Sequence, residues 1–291
     1  MKAVIIKGLK DVAVEDRPIP SIQSPTDIVV KTHVSGLCGS DLHNYRQAEP
    51  GTGFSLGHEV VGEVVEVGPG VTNFKVGDVV SAPFSICCGE CWFCKKGYTA
   101  RCPKAAFFGS EGLNGCQAEY VRIPMADSSA IAVPAGTSKE SMLLLCDIFS
   151  TGFSCAHNAR RLLDEDDERE VWSVKPDSVA VIFGCGPVGL CAISSALTMF
   201  TTVFATDPNP ERRALAAKHG AIALPAEQLH QRVLEATEGR GADAALDLVG
   251  GPQVLNLCLG MIRSYGAVSS IGMQTRKGEI DYPLLYDKKC A

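Results

Sequence analysis

Short Val- and Ile-rich runs broken by glycine and proline fill the first half of the chain. Asp27–Thr32, Val60–Val67 and Asp78–Ser81 are such runs, and turn signals such as Gly68-Pro69-Gly70 and Gly77-Asp78 separate them. This pattern predicts an all-β unit, a small barrel or sandwich with irregular loops. After about Cys146 the pattern changes. Val179–Phe183, Val203–Ala205, Ala244–Leu248 and Val268–Ile271 read as strands, with a weaker one at Ala221. Pro210–His219 and Glu227–Thr237 read as helices, the first closed by Gly220 as a C-cap. Strands alternating with helices predict a doubly wound parallel sheet. The expected organisation is two domains, residues 1–150 and 151–291.

One stretch imitates a membrane span. No charge occurs between Ser178 and Thr206. Its interior argues for something else: a β-rich run to Phe183, a break at Gly184-Cys185-Gly186-Pro187, a helical stretch from Val188, and a second β run at Val203. A parallel strand covered on both faces has that continuous apolar character. The run Asp164–Glu170 (DEDDERE) reads as a solvated surface insertion upstream of the first strand of the parallel sheet.

Composition narrows the function classes. The chain has 291 residues, 46% of them hydrophobic, and a formal net charge of -6 without a long Lys/Arg cluster. That balance argues against a nucleic-acid or anionic-membrane surface. The thirteen cysteines are an odd number, and the segment from Met1 to Lys10 lacks the continuous apolar core of a signal peptide. Reduced thiols in a cytoplasmic protein are therefore expected, used for packing or for metal.

Four of those cysteines form a pattern. Cys88, Cys91, Cys94 and Cys102 are spaced C-x2-C-x2-C-x7-C. Two-residue gaps let a tight turn place successive sulfurs on one ion, and four protein ligands close a structural zinc site. Spacing alone leaves iron–sulfur ligation open. A second constellation is Cys38 with Ser40, Asp41 and His43, followed by His58 and Glu59 at the start of the next β run. Cys38 and His58 supply two ligands of a second metal, and many residues could supply the third. Further on, Gly184-x-Gly186-Pro187-Val188-Gly189 follows a strand and opens a helix. In that context the glycines give a tight turn, access to a pyrophosphate and close helix–strand packing. Asp207 closes the next strand, 18 residues beyond Gly189, where a carboxylate accepts the ribose hydroxyls of NAD. Arg213 is a basic neighbour that leaves NADP open.

The run Gly57-His58-Glu59-x2-Gly62-x5-Gly68-x2-Val71 resembles the zinc signature of the medium-chain alcohol dehydrogenase family. The Cys38 loop is similar to that family's first-ligand loop, and the four-cysteine segment to its structural zinc lobe. The resemblance runs from Met1 to about Lys288. It implies a GroES-like β-barrel domain and a Rossmann domain. It also implies two zinc ions, one catalytic and one structural, with NAD as cofactor and a small alcohol or aldehyde as substrate. The implied third catalytic ligand is Asp147, four residues before Thr151-Gly152, with the adjacent Cys146 as second choice. Ser40 and His43 are implied as a proton relay. Asp41 is implied as the residue orienting His58, and Glu59 as a charge behind the metal. Arg212 is implied beside the adenosine, and Val249 and Ile271 along the cofactor cleft. Within the family the motifs most resemble formaldehyde dehydrogenase-like and secondary-alcohol members.

Family members usually continue roughly 50 or more residues beyond this length. A C-terminally shortened chain lacking the last strand of the nucleotide sheet is therefore expected. Strand five would then have an open edge, and the family's usual homo-oligomer is in doubt. A shortened member that binds zinc and NAD without turnover is the alternative to an active enzyme.

Overall fold

The computed structural model describes residues 1–163, 173–273 and 277–290. The acidic run Asp164–Glu170 lies outside the described residues. The chain divides into two compact units, Met1–Asp147 and Ile148–Ala291.

The first unit opens with an antiparallel hairpin of β1 (Lys2–Gly8) and β2 (Asp11–Asp16). Next come β3 (Ile28–Ser35), α1 (Asp41–Gln47), β4 (Val60–Val67) and β5 (Val79–Ala82). The short β6 (Ser85–Ile86), α2 (Trp92–Lys95) and β7 (Ala106–Phe107) surround the cysteine-rich segment. β8 (Tyr120–Ile123), α3 (Ala126–Ser129), β9 (Ile131–Ala132) and α4 (Lys139–Cys146) complete the unit. Five strands pair antiparallel in the order β8-β3-β4-β5-β9. Period-two alternation sends Ile28 and Val30 of β3, Val60 and Val64 of β4, and Val121 and Ile123 of β8 into one core. The register of β3 on β4 shifts between Thr32 and Val34, so His33 is an extra residue there. Such a bulge bends the strand just before it delivers the Cys38 loop.

The second unit starts with α5 (Ile148–Leu162) and then alternates strand and helix. β10 (Lys175–Phe183), α6 (Pro187–Ala196), β11 (Phe200–Thr206), α7 (Pro210–Lys218) and β12 (Ile222–Ala223) come first. α8 (Ala226–Ala236), β13 (Ala242–Asp247), α9 (Pro252–Met261), β14 (Ile262–Ser270) and α10 (Tyr282–Lys288) follow. The five strands run parallel in the order β12-β11-β10-β13-β14. The direction of winding therefore reverses between β10 and β13. In such sheets ligands bind at this reversal, outside the carboxyl ends of the strands.

β10 explains the uncharged stretch. Ala180 and Ile182 belong to the core that α5 and α6 cover. Val179, Val181 and Phe183 belong to the opposite core, with Leu229 and Val233 of α8 and Cys258 of α9. A strand covered on both faces has no side facing water, so nothing in it needs to be polar. Among the described residues no helix is long and apolar enough to cross a membrane.

α7 ends as its sequence predicts. The Ala221 amide donates to the Ala216 carbonyl, and the Gly220 amide to the Ala217 carbonyl, which is the paired cap of a Schellman ending. α5 is a helix that apolar periodicity does not announce. Its buried residues are the small Gly152, Cys155, Ala156 and Ala159, together with Arg160. The small ones let α6 approach so closely that a Cβ on Gly152 would lie 2.7 Å from the Val188 carbonyl oxygen. β14 begins at Ile262, earlier than its apolar run from Ala267, because its first residues cross a register shift and Tyr265 takes a left-handed φ of 57°. Among the described residues β14 pairs only with β13, and α10 packs beside it, with Lys288 Nζ donating to the Ile262 carbonyl at 2.6 Å.

Ile182 is fully buried between tightly packed neighbours. Ile182→Ala removes three carbons and leaves a cavity, so equilibrium urea unfolding should show a loss of about 2–5 kcal/mol.

Candidate functional site

Two clusters of metal-ligating atoms occur among the described residues, both in the first unit. The first comprises Cys88, Cys91, Cys94 and Cys102, whose sulfurs all lie within 4.8 Å of one another. Cys91 is the N-cap of α2, so that short helix sets the turn between Cys91 and Cys94. The closest recorded pairs are Cys91–Cys94 at 3.4 Å, Cys88–Cys102 at 3.5 Å and Cys88–Cys94 at 3.9 Å. A disulfide needs about 2.05 Å, and all thirteen cysteines are free thiols. Four sulfurs about 2.3 Å from a tetrahedral zinc stand about 3.8 Å apart. The cluster therefore fits one ion; a multi-iron cluster, with metal and sulfide between its cysteines, would spread them wider.

Backbone amides are aimed at the same sulfurs. The Cys88 and Lys104 amides donate to Cys102 Sγ at 3.4 and 3.3 Å, and the Cys94 amide to Cys91 Sγ at 3.5 Å. Amides of Glu90 and Cys91 pull the Cys88 thiol down to about 6, while burial pushes Cys94 upward. Amide donors of this kind stabilise thiolate, the form that binds metal.

The second cluster is Cys38, His58 and Asp147. Cys38 follows β3, His58 precedes β4, and Asp147 is the C-cap of α4, so three separate elements converge. Asp147 Oδ2 stands 3.2 Å from His58 Nε2 and 3.7 Å from Cys38 Sγ. A tetrahedral zinc with bonds of about 2.0–2.3 Å sets nitrogen–oxygen and sulfur–oxygen edges of about 3.3 and 3.6 Å. The residues fit a zinc ion with three protein ligands and one free position. Cys146, the second candidate for the third ligand, turns away. It is buried, lies 3.5 Å from the Val60 carbonyl, and burial pushes its thiol up to about 11.

The other nitrogen of His58 is held from behind. Asp41 Oδ1 is 3.4 Å from Nδ1, and Asp41 Oδ2 accepts the Cys38 amide at 3.0 Å. Burial alone would lower the His58 pKa. Hydrogen bonds with Asp147, Asp41 and Cys38 outweigh it and push the ring up to about 12.

Ser40 is the N-cap of α1, where a serine hydroxyl ordinarily accepts a helix amide. Here it makes no such bond, and Oγ lies 3.4 Å from His58 Nε2. His43 is half-buried one turn further along α1. Glu59 is buried, and its carboxylate lies against Gly36, where a Cβ would be 1.8 Å from Oε2. It also adds to the upward push on the Cys116 and Cys146 thiols.

The nucleotide loop lies in the second unit, at the carboxyl end of β10. Gly184 has φ 97°, and a Cβ on Gly189 would lie 2.0 Å from the Gly184 carbonyl oxygen, so both must be glycine. A Cβ on Gly186 would meet nothing within 4 Å, so the turn faces open space there. Pro187 occupies the first turn of α6, and Val188 and Gly189 follow it. The first amides of a helix have no partner within it and suit a phosphate. The residues therefore fit a dinucleotide.

Asp207 is buried at the end of β11, 3.6 Å from Arg212. Its oxygens accept the Cys185 amide at 3.0 Å and the Asn209 amide at 2.8 Å. It does not cap α7, because Asn209 does. Arg213 donates to the Asp207 and Pro208 carbonyls. Val249 and Ile271 follow β13 and β14, and both amides donate to Asp247. Asp247 itself is absent from the sequence reading. It is fully buried and accepts the Val249 and Gly250 amides and the Ser270 hydroxyl, fixing two loops at the winding reversal. Its signal in the sequence is a carboxylate at the carboxyl end of a buried strand, and Asp243 at the other end of β13 has the same look.

The fold agrees with known proteins. Residues 24–135 match the family described as the alcohol dehydrogenase GroES-like domain, and residues 187–289 the one described as zinc-binding dehydrogenase. A medium chain reductase/dehydrogenase of Acremonium sp is 47% identical over 279 residues, covering 94% of this chain and 93% of that protein. Zinc-type alcohol dehydrogenase B of Aspergillus flavus is 44% identical over 288 residues; the chain spans 65% of that relative's length. The structure of an alcohol dehydrogenase from Thermus sp. ATN1 superposes with a TM-score of 0.89 at 33% identity, covering 100% of this chain and 83% of that one. The chain belongs to the zinc-type medium-chain alcohol dehydrogenase family, a family of oxidoreductases. Its second unit is the Rossmann half of that fold and its first unit the GroES-like half.

Asp207→Gly removes the carboxylate that the sequence pattern expects to accept the cofactor ribose hydroxyls. Its ratio of NAD to NADP affinity, read by fluorescence titration of each cofactor, should fall at least tenfold; an unmoved ratio would remove Asp207 from cofactor choice.

Proposed function

We propose that the chain transfers hydride from the carbon of a small alcohol to NAD, or the reverse from an aldehyde or ketone. The observation that carries this reading is the three-ligand cluster of Cys38, His58 and Asp147, which leaves a fourth position for an alcohol oxygen. A zinc ion held there supplies Lewis acidity, lowering the pKa of an alcohol hydroxyl, and NAD supplies the hydride acceptor.

The chain's own residues do the rest. Asp41 fixes the tautomer of His58 so that Nε2 is the ligating nitrogen. Ser40, with its hydroxyl freed from capping and turned toward His58, takes the alcohol proton, and His43 passes it toward solvent. Imidazole suits that step because its ordinary pKa lies near neutrality. A carboxylate in place of a second thiolate makes the ion a harder Lewis acid. Glu59 adds negative charge nearby without ligating. The glycine turn and the first amides of α6 hold the pyrophosphate, and Asp207 takes the ribose hydroxyls and disfavours a 2′-phosphate. The Cys88, Cys91, Cys94 and Cys102 lobe holds a second zinc with a structural task. Thirteen unpaired thiols fit a reducing cytoplasm.

Metal analysis with an NAD-reduction screen over an alcohol panel tests this reading. Two zinc ions per chain and turnover of at least one alcohol are expected. Cys38→Ala should bind one ion and show no turnover. Two ions without NAD reduction on any alcohol would overturn the enzymatic reading in favour of a binding protein.

Ser40→Ala should lower kcat about 10²–10⁴-fold, the usual worth of a positioned proton acceptor, with zinc content and NAD affinity unchanged. Equal turnover would take Ser40 out of the relay.

A further inference from the structure

We infer that Gln117 is a positioning residue for the catalytic metal site, acting on the metal through Asp41 and His58. The inference rests on the three-ligand reading above and adds a residue which that reading does not contain.

The backbone of Gln117 is fixed against the strand of chain that delivers His58. The Gly115, Cys116 and Gln117 amides donate to the Ser55, Gly57 and Leu56 carbonyls at 2.8–2.9 Å, and the Val4 amide donates to the Gln117 carbonyl at 2.9 Å. The side chain then crosses over Gly57, one residue before His58. A Cβ on Gly57 would lie 2.6 Å from Gln117 Cγ, so the crossing needs glycine there. At its far end Nε2 donates to the Gly36 carbonyl at 3.2 Å and to Asp41 Oδ2 at 3.4 Å.

Both groups at that end are acceptors, one carbonyl and one carboxylate. Only the NH2 end of an amide can face both, which fixes the side-chain orientation. One residue thus joins the two loops that carry Cys38 and His58. Asp41 Oδ2 receives two donors, the Cys38 amide and Gln117, and these set the carboxylate plane. Oδ1 is thereby turned toward His58 Nδ1 at 3.4 Å. The Nδ1 bond in turn leaves Nε2 facing Cys38 and Asp147. Loss of Gln117 would leave the Asp41 carboxylate with the Cys38 amide and the His58 ring alone, so its plane is less well fixed and the ring is loosened.

Residues that orient metal-binding side chains commonly change metal affinity 10- to 100-fold. For Gln117→Leu, close in size but without the donor, the zinc affinity of the three-ligand site should fall about tenfold in competition with a chromophoric chelator. Gln117→Glu keeps the shape over Gly57 and sets an anion against Asp41, so its loss should be larger. The four-cysteine lobe should keep its ion in both variants, and cobalt substituted at the three-ligand site should show an altered visible spectrum. The wild-type titration reads the second ion independently, and its absence there would overturn the three-ligand site and this role with it. If wild type binds the second ion and either folded variant binds it as tightly, with the same cobalt spectrum, Gln117 does not position the site. Melting temperature and lobe occupancy separate this from general unfolding. A variant that loses both ions together marks Gln117 as a fold residue and overturns the inference.

Discussion

The site depends on one hydrogen-bonded pair, the His58 ring and the Asp41 carboxylate. Imidazole has two nitrogens, and only one can face a metal. Asp41 holds Nδ1, which commits Nε2 to the side where Cys38 and Asp147 stand. Those donors are anionic or become so on binding, and gathering them within a few ångström is unfavourable unless positive charge sits among them. The same donors raise the His58 pKa against the opposing effect of burial. A divalent ion would supply that charge, and its binding would require deprotonated ligands.

Much of this was legible in the sequence. The four-cysteine spacing is local, because a knuckle of fifteen residues is built by its own turns. The glycine loop is local too, since β10, the turn and α6 are consecutive. Cys38 and His58 were legible from motifs. Asp147 was legible only by resemblance, because it lies 89 residues from His58 and reaches the site through α4 packing. No periodicity can register a contact of that separation.

What escaped reading has a common physical character. Apart from Arg160, α5 buries Gly, Cys and Ala, which carry little hydrophobic signal yet permit a close helix approach. Asp247 looks like an ordinary strand-end charge until its three donors are seen. The early part of β14 contains Arg263, Ser264 and a left-handed Tyr265, so it lacks the composition of a strand; parallel pairing with β13 and the Arg263–Asp243 contact at 2.7 Å hold it there instead. Tertiary pairing overrides local preference at each of these places.

β10 has a further consequence through its two buried faces. Because successive residues feed opposite cores, sliding the strand by one position would exchange Ile182 with its neighbours and spoil both cores together. The turn that begins at Gly184 is rigidly attached to the end of that strand. The height of the nucleotide loop above the sheet is therefore indexed in steps of two residues by packing far beneath it. An insertion of a single residue within Val179–Phe183 would misplace the loop even with every glycine intact, whereas the same insertion in an exposed surface turn would leave the loop where it is.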